Sequence, residues 1–291
     1  LKITGHCKVQ VVGKERRNMD YRRVIEKLNP IDDIFFRKMA ENKSFCEEIL
    51  REFLEDPGLE VLENHAQHSI TSIERRSVIL DALCRLKDGR VINVEIQNDD
   101  NVNHQKRVRY YSSMLTTNMI EKGVSFNELP DICIIYVCNF DIFNKNRVKY
   151  EIKRVVDGFD IELDNGLREI YICANIRDGS SLSELMRVFT EDDSYSRNFP
   201  IVSDIKYRLK YSEEGEDMSE VLKQLYEEGR EEGREEGREE GREEGRKQGI
   251  QKGFISALIS LVKDGILSIA DAASRANMSV ESFEKYMRSM K

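Results

Sequence analysis

No stretch of this chain approaches the ~18 consecutive apolar residues that a membrane helix needs, and no apolar signal core opens it. These absences set aside an integral membrane protein and give the expectation of a soluble, cytoplasmic one. The six cysteines (Cys7, Cys46, Cys84, Cys133, Cys138, Cys173) include no CxxC pair, so neither a disulfide framework nor a thiolate metal site is indicated. Cys133 and Cys138 share one apolar run, as reduced intracellular thiols do. His65 and His68 have a helix-like spacing but no Cys or His cluster completes a zinc site, and a solvated pair is expected. No Gly-rich nucleotide loop follows a strand-like run. Only four prolines occur (Pro30, Pro57, Pro130, Pro200), and nothing beyond the last of them reads as an α/β core.

What the chain does have is charge, unevenly placed. It holds 291 residues, 46 Lys and Arg against 54 Asp and Glu, a net −8. Residues 227–246 are five copies of EEGR with ten Glu and five Arg, so most of the excess negative charge sits there. Residues 1–23 carry seven basic side chains against two acidic ones, and Lys106, Arg107 and Arg109 form a second basic cluster. Phosphate contact is a local matter, so an acidic total does not exclude a nucleic-acid substrate. Leu1 is an unusual first residue, and residues 1–19 read as a basic, weakly ordered arm or an extension upstream of the true start at Met19.

The periodicity predicts helices from Tyr21 to about Leu54, interrupted at Pro30 and capped by Asp32 or Asp33. Strands follow over 69–97, a polar helix over about 103–122, and a doubly buried strand at Ile132–Val137. Phe159–Leu163 and Glu169–Cys173 read as a hairpin around Asp164-Asn165-Gly166, and helices follow at 181–189 and 201–209. The tail differs. Seven glycines recur every fourth residue from Gly229 to Gly253, and no apolar residue lies between Tyr226 and Ile250, which excludes a coiled coil. Each glycine costs a helix ~1 kcal/mol, so the segment reads as a solvated helical spacer, or as a Gly-faced helix that packs on a partner.

The stretch with most chemistry is Ser77–Gln97. If Lys87-Asp88-Gly89 makes a three-residue bulged loop, Leu86 pairs with Arg90, which sets Asp81 across from Glu95 and Ile79 across from Gln97. Leu80, Ala82, Cys84 and Leu86 then share a core face with Ile92, Val94 and Ile96. A two-residue Asp-Gly loop would split the two acids across the sheet. Adjacent carboxylates repel unless a cation lies between them, and hard oxygen ligands suit Mg²⁺ or Mn²⁺. A bare reading remains open, in which these are alternate polar residues of an exposed strand.

These residues carry a family resemblance. Asn29-Pro-Ile-Asp-Asp-Ile-Phe-Phe-Arg37, Leu80-Asp81, Glu95-Ile96-Gln97, Lys106-Arg107 with Tyr110-Tyr111, and the EEGR tail, in this order, resemble the recombination-promoting nuclease/transposase family of the PD-(D/E)XK superfamily. The resemblance spans about 24–255. It implies an α/β, restriction-endonuclease-like core, a central mixed sheet flanked by helices, and Mg²⁺-dependent cleavage of DNA. Carried over, Asp81 and Glu95 are the metal ligands and Asp33 is an N-terminal acid in an outer position; the Ile96 carbonyl can supply a further oxygen, because backbone groups near a bulge or sheet edge are free to turn. Gln97 stands where the superfamily has a catalytic Lys, and Leu80 where it has a motif Pro. Lys106, Arg107, Arg109 and Tyr111 are the candidate DNA-phosphate contacts; Arg107 and Tyr111, four apart on a helix, equally read as a surface Arg packed on a ring.

The expected division is an arm (1–19), a nuclease-like domain (20–212), a charged EEGR helix (213–253) and a small helical module (254–291). In the last segment Ile255, Leu258, Ile259 and Val262 form an apolar stripe. Ser268 and Ser279 are positioned as caps, and Ala272, Ala273, Val280 and Phe283 are expected to face inward. Its spacing allows a helix-turn-helix, but a net +1 is a poor footprint for DNA, and packing or homodimerisation is the stronger expectation. The rival to a DNA endonuclease is a catalytically inactive nuclease-like protein that binds nucleic acid or a protein.

Overall fold

A computed structural model describes residues 2–4, 8–10, 21–70, 78–100, 103–120, 123, 125–212 and 214–289. The chain divides into two compact units, Leu1–Tyr226 and Glu227–Lys291. At the N-terminus, β1 (Lys2–Thr4) and β2 (Lys8–Gln10) pair antiparallel; the rest of the expected arm lies outside the described residues.

The first unit then runs α1 (Tyr21–Ile25), α2 (Asp33–Ala40), α3 (Lys43–Leu54), β3 (Val61–Ile70), β4 (Val78–Leu86), β5 (Val91–Gln97), α4 (His104–Met119) and a 3₁₀ turn (Phe126–Glu128). It continues with β6 (Ile132–Cys138), β7 (Lys149–Ile152), β8 (Leu167–Cys173), α5 (Ser181–Thr190), α6 (Pro200–Tyr211) and the first turns of α7 (Glu214–Lys263). Six strands form one mixed sheet in the order β3-β4-β5-β6-β8-β7. Neighbours β3, β4 and β5 are antiparallel, β5-β6-β8 are parallel, and β7 returns antiparallel to β8. This is an α/β fold with helices on both faces of the sheet.

The strand alternation decides which layer each side chain joins. In β6, Cys133, Ile135 and Val137 enter the core under α2, α3, α5 and α6, while Ile132, Ile134, Tyr136 and Cys138 pack beneath α4. The first of these layers is organised by phenylalanines: Phe36 meets Phe45 and Phe189 with ring centroids at 5.7 and 6.3 Å, and Phe53 meets Phe189 at 6.4 Å. Burying each such ring contributes ~1.5–3 kcal/mol, which fixes α2 against the sheet and with it Arg37. Local chemistry sets the helix starts. The Asn42 side chain accepts from the Ser44 and Phe45 amides, Asn103 accepts from Lys106, and Glu48 of α3 accepts from Ile201 and Val202 at the Pro200 start of α6.

Several sequence expectations need correction. The hairpin partner of β8 is β7, not Phe159–Leu163. Residues 155–162 fold on themselves through a Val155–Glu162 bridge, while Gly166, at φ +73°, hands its carbonyl to the Ile132 amide. His65 and His68 lie on β3, which starts at Val61, and not on a helix. Leu80 leaves the face of Ala82, Cys84 and Leu86 and packs with Val78 and Leu83 in the α4 layer. The change of layer falls at an irregular point of the ladder: opposite Asp81, between the Ala66–Ala82 and His68–Leu80 pairs, Gln67 takes φ +57°. Ile79 does not pair with β5 and is 55% exposed.

Met218 and Leu222, on the first turns of α7, are buried in the core of this unit. In the second unit α7 continues to Lys263 and is followed by α8 (Ile269–Arg275) and α9 (Val280–Ser289). Ile255, Leu258, Ile259, Ala272, Ala273 and Phe283 form its core, whereas Val280, expected inside, is exposed because it opens α9. Ser268 accepts from the Asp271 amide and Ser279 from Ser282. A methyl group added at Gly245, Gly249 or Gly253 would meet, among the described residues, no atom within 4 Å beyond its own helix turn, so these glycines serve no close approach there. Among the described residues no helix is long and apolar enough to cross a membrane.

Candidate active site

The loop Lys87-Asp88-Gly89 closes as the sequence predicts. The Gly89 amide donates to the Leu86 carbonyl, Leu86 pairs with Arg90, and Gly89 sits at φ +95°, in the left-handed region glycine tolerates. The register that follows pairs Arg85 with Val91, Cys84 with Ile92, Leu83 with Asn93 and Ala82 with Val94. One position further on, side chains take over from the ladder. The Ile96 amide donates to Asp81 Oδ2 at 2.9 Å, and the Asp81 amide donates to Glu95 Oε1 at 3.4 Å. Asp81 and Glu95 therefore share a fork where β4 and β5 part.

Burial removes the bare reading of an exposed polar face. Asn93 and Glu95 are 0% exposed and Gln97 3%, because α4 covers these alternate positions of β5, and Asp81 on the neighbouring β4 is 2% exposed beside Arg37 of α2. Each acid has a guanidinium beside it, from helices on opposite faces. Arg37 of α2 bonds Asp81 Oδ1 through Nε at 2.8 Å and Nη2 at 2.7 Å, and its Nη2 is 3.5 Å from Asp33 Oδ2. Arg107 of α4 places Nη2 at 3.7 Å from Glu95 Oε2. Asn93 Nδ2 donates to Glu95 Oε1 at 2.9 Å, but Glu95 Oε2 is buried with no hydrogen-bond partner. Burial, with the Asp81 charge adding to it, pushes the Glu95 carboxyl up to about 8. Burial likewise raises Asp33, against the pull of Arg37, and Asp32 rises to about 6 although the Asn29 amide stabilises its charged form.

Gln97 is held by its amide. Its Nε2 donates to the Asp99 carbonyl at 2.9 Å, and its Oε1 accepts from Arg107 Nη1 at 2.5 Å and from the Tyr136 hydroxyl at 3.4 Å. Arg107 Nε donates to the Tyr111 hydroxyl at 2.7 Å, and its guanidinium carbon lies 5.2 Å from the centre of that ring. His104 Nδ1 faces the Tyr136 hydroxyl at 2.8 Å and its Nε2 faces Asp100 at 3.0 Å. Burial pushes the Tyr111 and Tyr136 phenols well up, so both stay protonated near neutrality.

The structure thus gathers Asp81, Glu95, Gln97, Arg107 and Tyr111. Asp33 reaches them through the Arg37 guanidinium, and Lys106 and Arg109 lie exposed on the outer side of α4. The Ile96 amide faces Asp81 through the contact given above. Among the described residues no three His, Cys, Asp or Glu side chains converge as a metal cluster. Three participants escaped the sequence reading. Arg37 is four residues past Asp33 on one helix face, Asn93 is two before Glu95 on the same strand face, and Tyr136 is the one hydroxyl in an apolar run. The first two signals were available from spacing; the third needed the β5–β6 register, which sets Tyr136 beside Glu95.

The comparisons bear on both parts of the chain. Residues 30–172, a span that contains every residue of this site, match the family model described as PD-(D/E)XK nuclease family transposase. Residues 226–259 match the model of the N-terminal part of the essential protein Yae1, over the EEGR repeat and the segment after it. No curated protein and no solved structure matches the chain.

Proposed function

We propose that this chain, whose residues 30–172 match the PD-(D/E)XK nuclease family transposase model, is a divalent-metal-dependent endonuclease that hydrolyses phosphodiester bonds of DNA. The observation that carries the reading is the buried carboxylate pair at the strand fork, with Glu95 Oε2 lacking any hydrogen-bond partner. A buried carboxylate oxygen in that state is costly unless a cation satisfies it. The donor set fits a small, hard ion: Asp81 and Glu95 would hold Mg²⁺ or Mn²⁺, with the Ile96 carbonyl as a further oxygen. Such an ion, when bound, polarises the phosphodiester and lowers the pKa of an attacking water.

The chain's own residues do the rest. Arg37 fixes the Asp81 carboxylate by two bonds, so the carboxylate is oriented before any ligand arrives, and Asp33 shares that guanidinium. Asn93 and the Asp81 amide hold Glu95 Oε1, which leaves Oε2 as its open oxygen. Exposed Lys106 and Arg109 contribute backbone contacts that position the duplex without reading its sequence.

Nicking of supercoiled plasmid in Mg²⁺ or Mn²⁺ tests this. Asp81→Ala and Glu95→Ala should abolish nicking while circular dichroism shows the parent fold. The neutral Gln97 and the lack, among the described residues, of a third converging acid favour the other reading, an inactive nuclease-like protein that binds DNA or a protein. That reading wins if purified chain shifts a duplex in a gel but leaves plasmid intact with either metal.

A further inference from the structure

Hydrolysis of a phosphodiester spreads negative charge over the oxygens of the scissile phosphate, and fixed donors in a dry site stabilise that charge most. Position 97 offers a neutral amide. Among the described residues the cationic side chains beside the acidic pair are Arg37 and Arg107. They are used differently. Arg37 directs both Nε and Nη2 at Asp81 Oδ1. Arg107 has five N–H donors; Nε bonds Tyr111 and Nη1 bonds Gln97, while Nη2 ends 3.7 Å from Glu95 Oε2, beyond hydrogen-bond reach. Its plane is clamped on two edges, so little side-chain entropy remains to be lost when a phosphate arrives.

The amide at 97 is matched to that arginine. Because Nε2 is taken by the Asp99 carbonyl, Oε1 is the atom that meets Arg107, and the Tyr136 hydroxyl, itself facing His104, supports the same oxygen. A lysine at 97 would set an ammonium against a guanidinium where a 2.5 Å hydrogen bond now stands, with no acceptor between them. The two positions therefore form a unit in which the charge sits on α4 and the strand supplies its acceptor.

We propose that Arg107 is the catalytic cation of this site, donating to the scissile phosphate as charge builds there, with Gln97, Tyr111 and Tyr136 as positioning residues for its guanidinium. The inference rests on the nuclease reading and names the group that stabilises the transition state within it.

The test uses the full chain with Mg²⁺ on plasmid, and a fluorescein-labelled duplex in EDTA for affinity without turnover. Arg107→Ala should lower kcat by ~10²–10³-fold, with duplex affinity changed by less than about threefold. Arg107→Lys keeps a charge beside Glu95, so its fold is protected, and it should still lose at least about tenfold in kcat because the fork is gone. Gln97→Lys should lower activity, and Gln97→Lys combined with Arg107→Gln should recover at least about tenfold over Arg107→Gln alone, since the cation is restored from the strand. A loss confined to KM and duplex affinity overturns the proposal and makes Arg107 a phosphate anchor. So does an Arg107→Ala variant that cuts at the parental rate. A parent that never cuts overturns the nuclease reading and this inference together, so the two failures are told apart.

Discussion

Glu95→Gln separates the cost of the site from its use. The Glu95 carboxyl is displaced from 4.5 to about 8, first by burial and then by the Asp81 charge. A raised folded-state value means that the native protein holds a proton the unfolded chain has released. Between pH 4.5 and about 8 the unfolding free energy therefore falls as pH rises. At ~1.4 kcal/mol per pH unit the ceiling is ~5 kcal/mol, and relaxation around Arg107 and Asn93 reduces it to ~2–3 kcal/mol. Glutamine keeps an acceptor for Asn93 and the Asp81 amide and carries no charge, so the variant escapes this loss. Without metal it should melt at the parental temperature near pH 4.5 and ~4–10 °C above it at pH 8.5, by differential scanning fluorimetry in EDTA. Adding Mg²⁺ at pH 8.5 should raise the parent and not the variant. Parallel melting curves from pH 5 to 8.5 would refute the reasoning, because Glu95 would then not be an uncompensated buried acid.

Cutting the chain after Tyr226 should leave the first unit folded, whereas cutting after Ser212 removes buried Met218 and Leu222; Leu222→Ala alone should cost ~2–4 kcal/mol in urea unfolding. Gly89→Ala forces a side chain into φ +95° and should cost ~1–2 kcal/mol while lowering any cleavage, since the loop sets the Asp81–Glu95 register. Asp32, raised to about 6 by burial, should make Asp32→Asn more stable relative to the parent above pH 6 than below pH 4, measured by urea titration at each pH. The exposed Ile250 and Phe254, with the small core of the second unit, predict that light scattering finds a salt-insensitive dimer that becomes monomeric on removing 254–291; a monomer at all salt concentrations would count against it.

Local rules decided a good deal of this protein. The Lys-Asp-Gly loop fixes its own hairpin, and a hairpin with period-2 side chains fixes which residues share a face, so Asp81 and Glu95 were legible as a pair from spacing alone. The apolar run at Ile132–Val137 had to be a strand covered on both sides, and Asn42 and Asn103 mark helix starts through their side-chain caps as Pro200 does through its fixed φ. The tail's want of apolar residues sets it apart by composition alone, because a segment with nothing to bury cannot join a core. What sequence could not decide depended on elements far apart in the chain. Only the folded sheet brings Arg37 from one face to Asp81 and Arg107 from the other to Glu95, because packing brings together groups that are far apart in the chain. Leu80 joins the other layer opposite an irregularity at Gln67 of β3, which no feature of Ser77–Gln97 encodes. Tyr136 meets Gln97 through a parallel register, and a parallel neighbour is set by a long crossover and leaves no local signature. Burial of Glu95 under α4 is likewise a tertiary fact, and it turns acids on two neighbouring strands into a buried pair that a cation would satisfy.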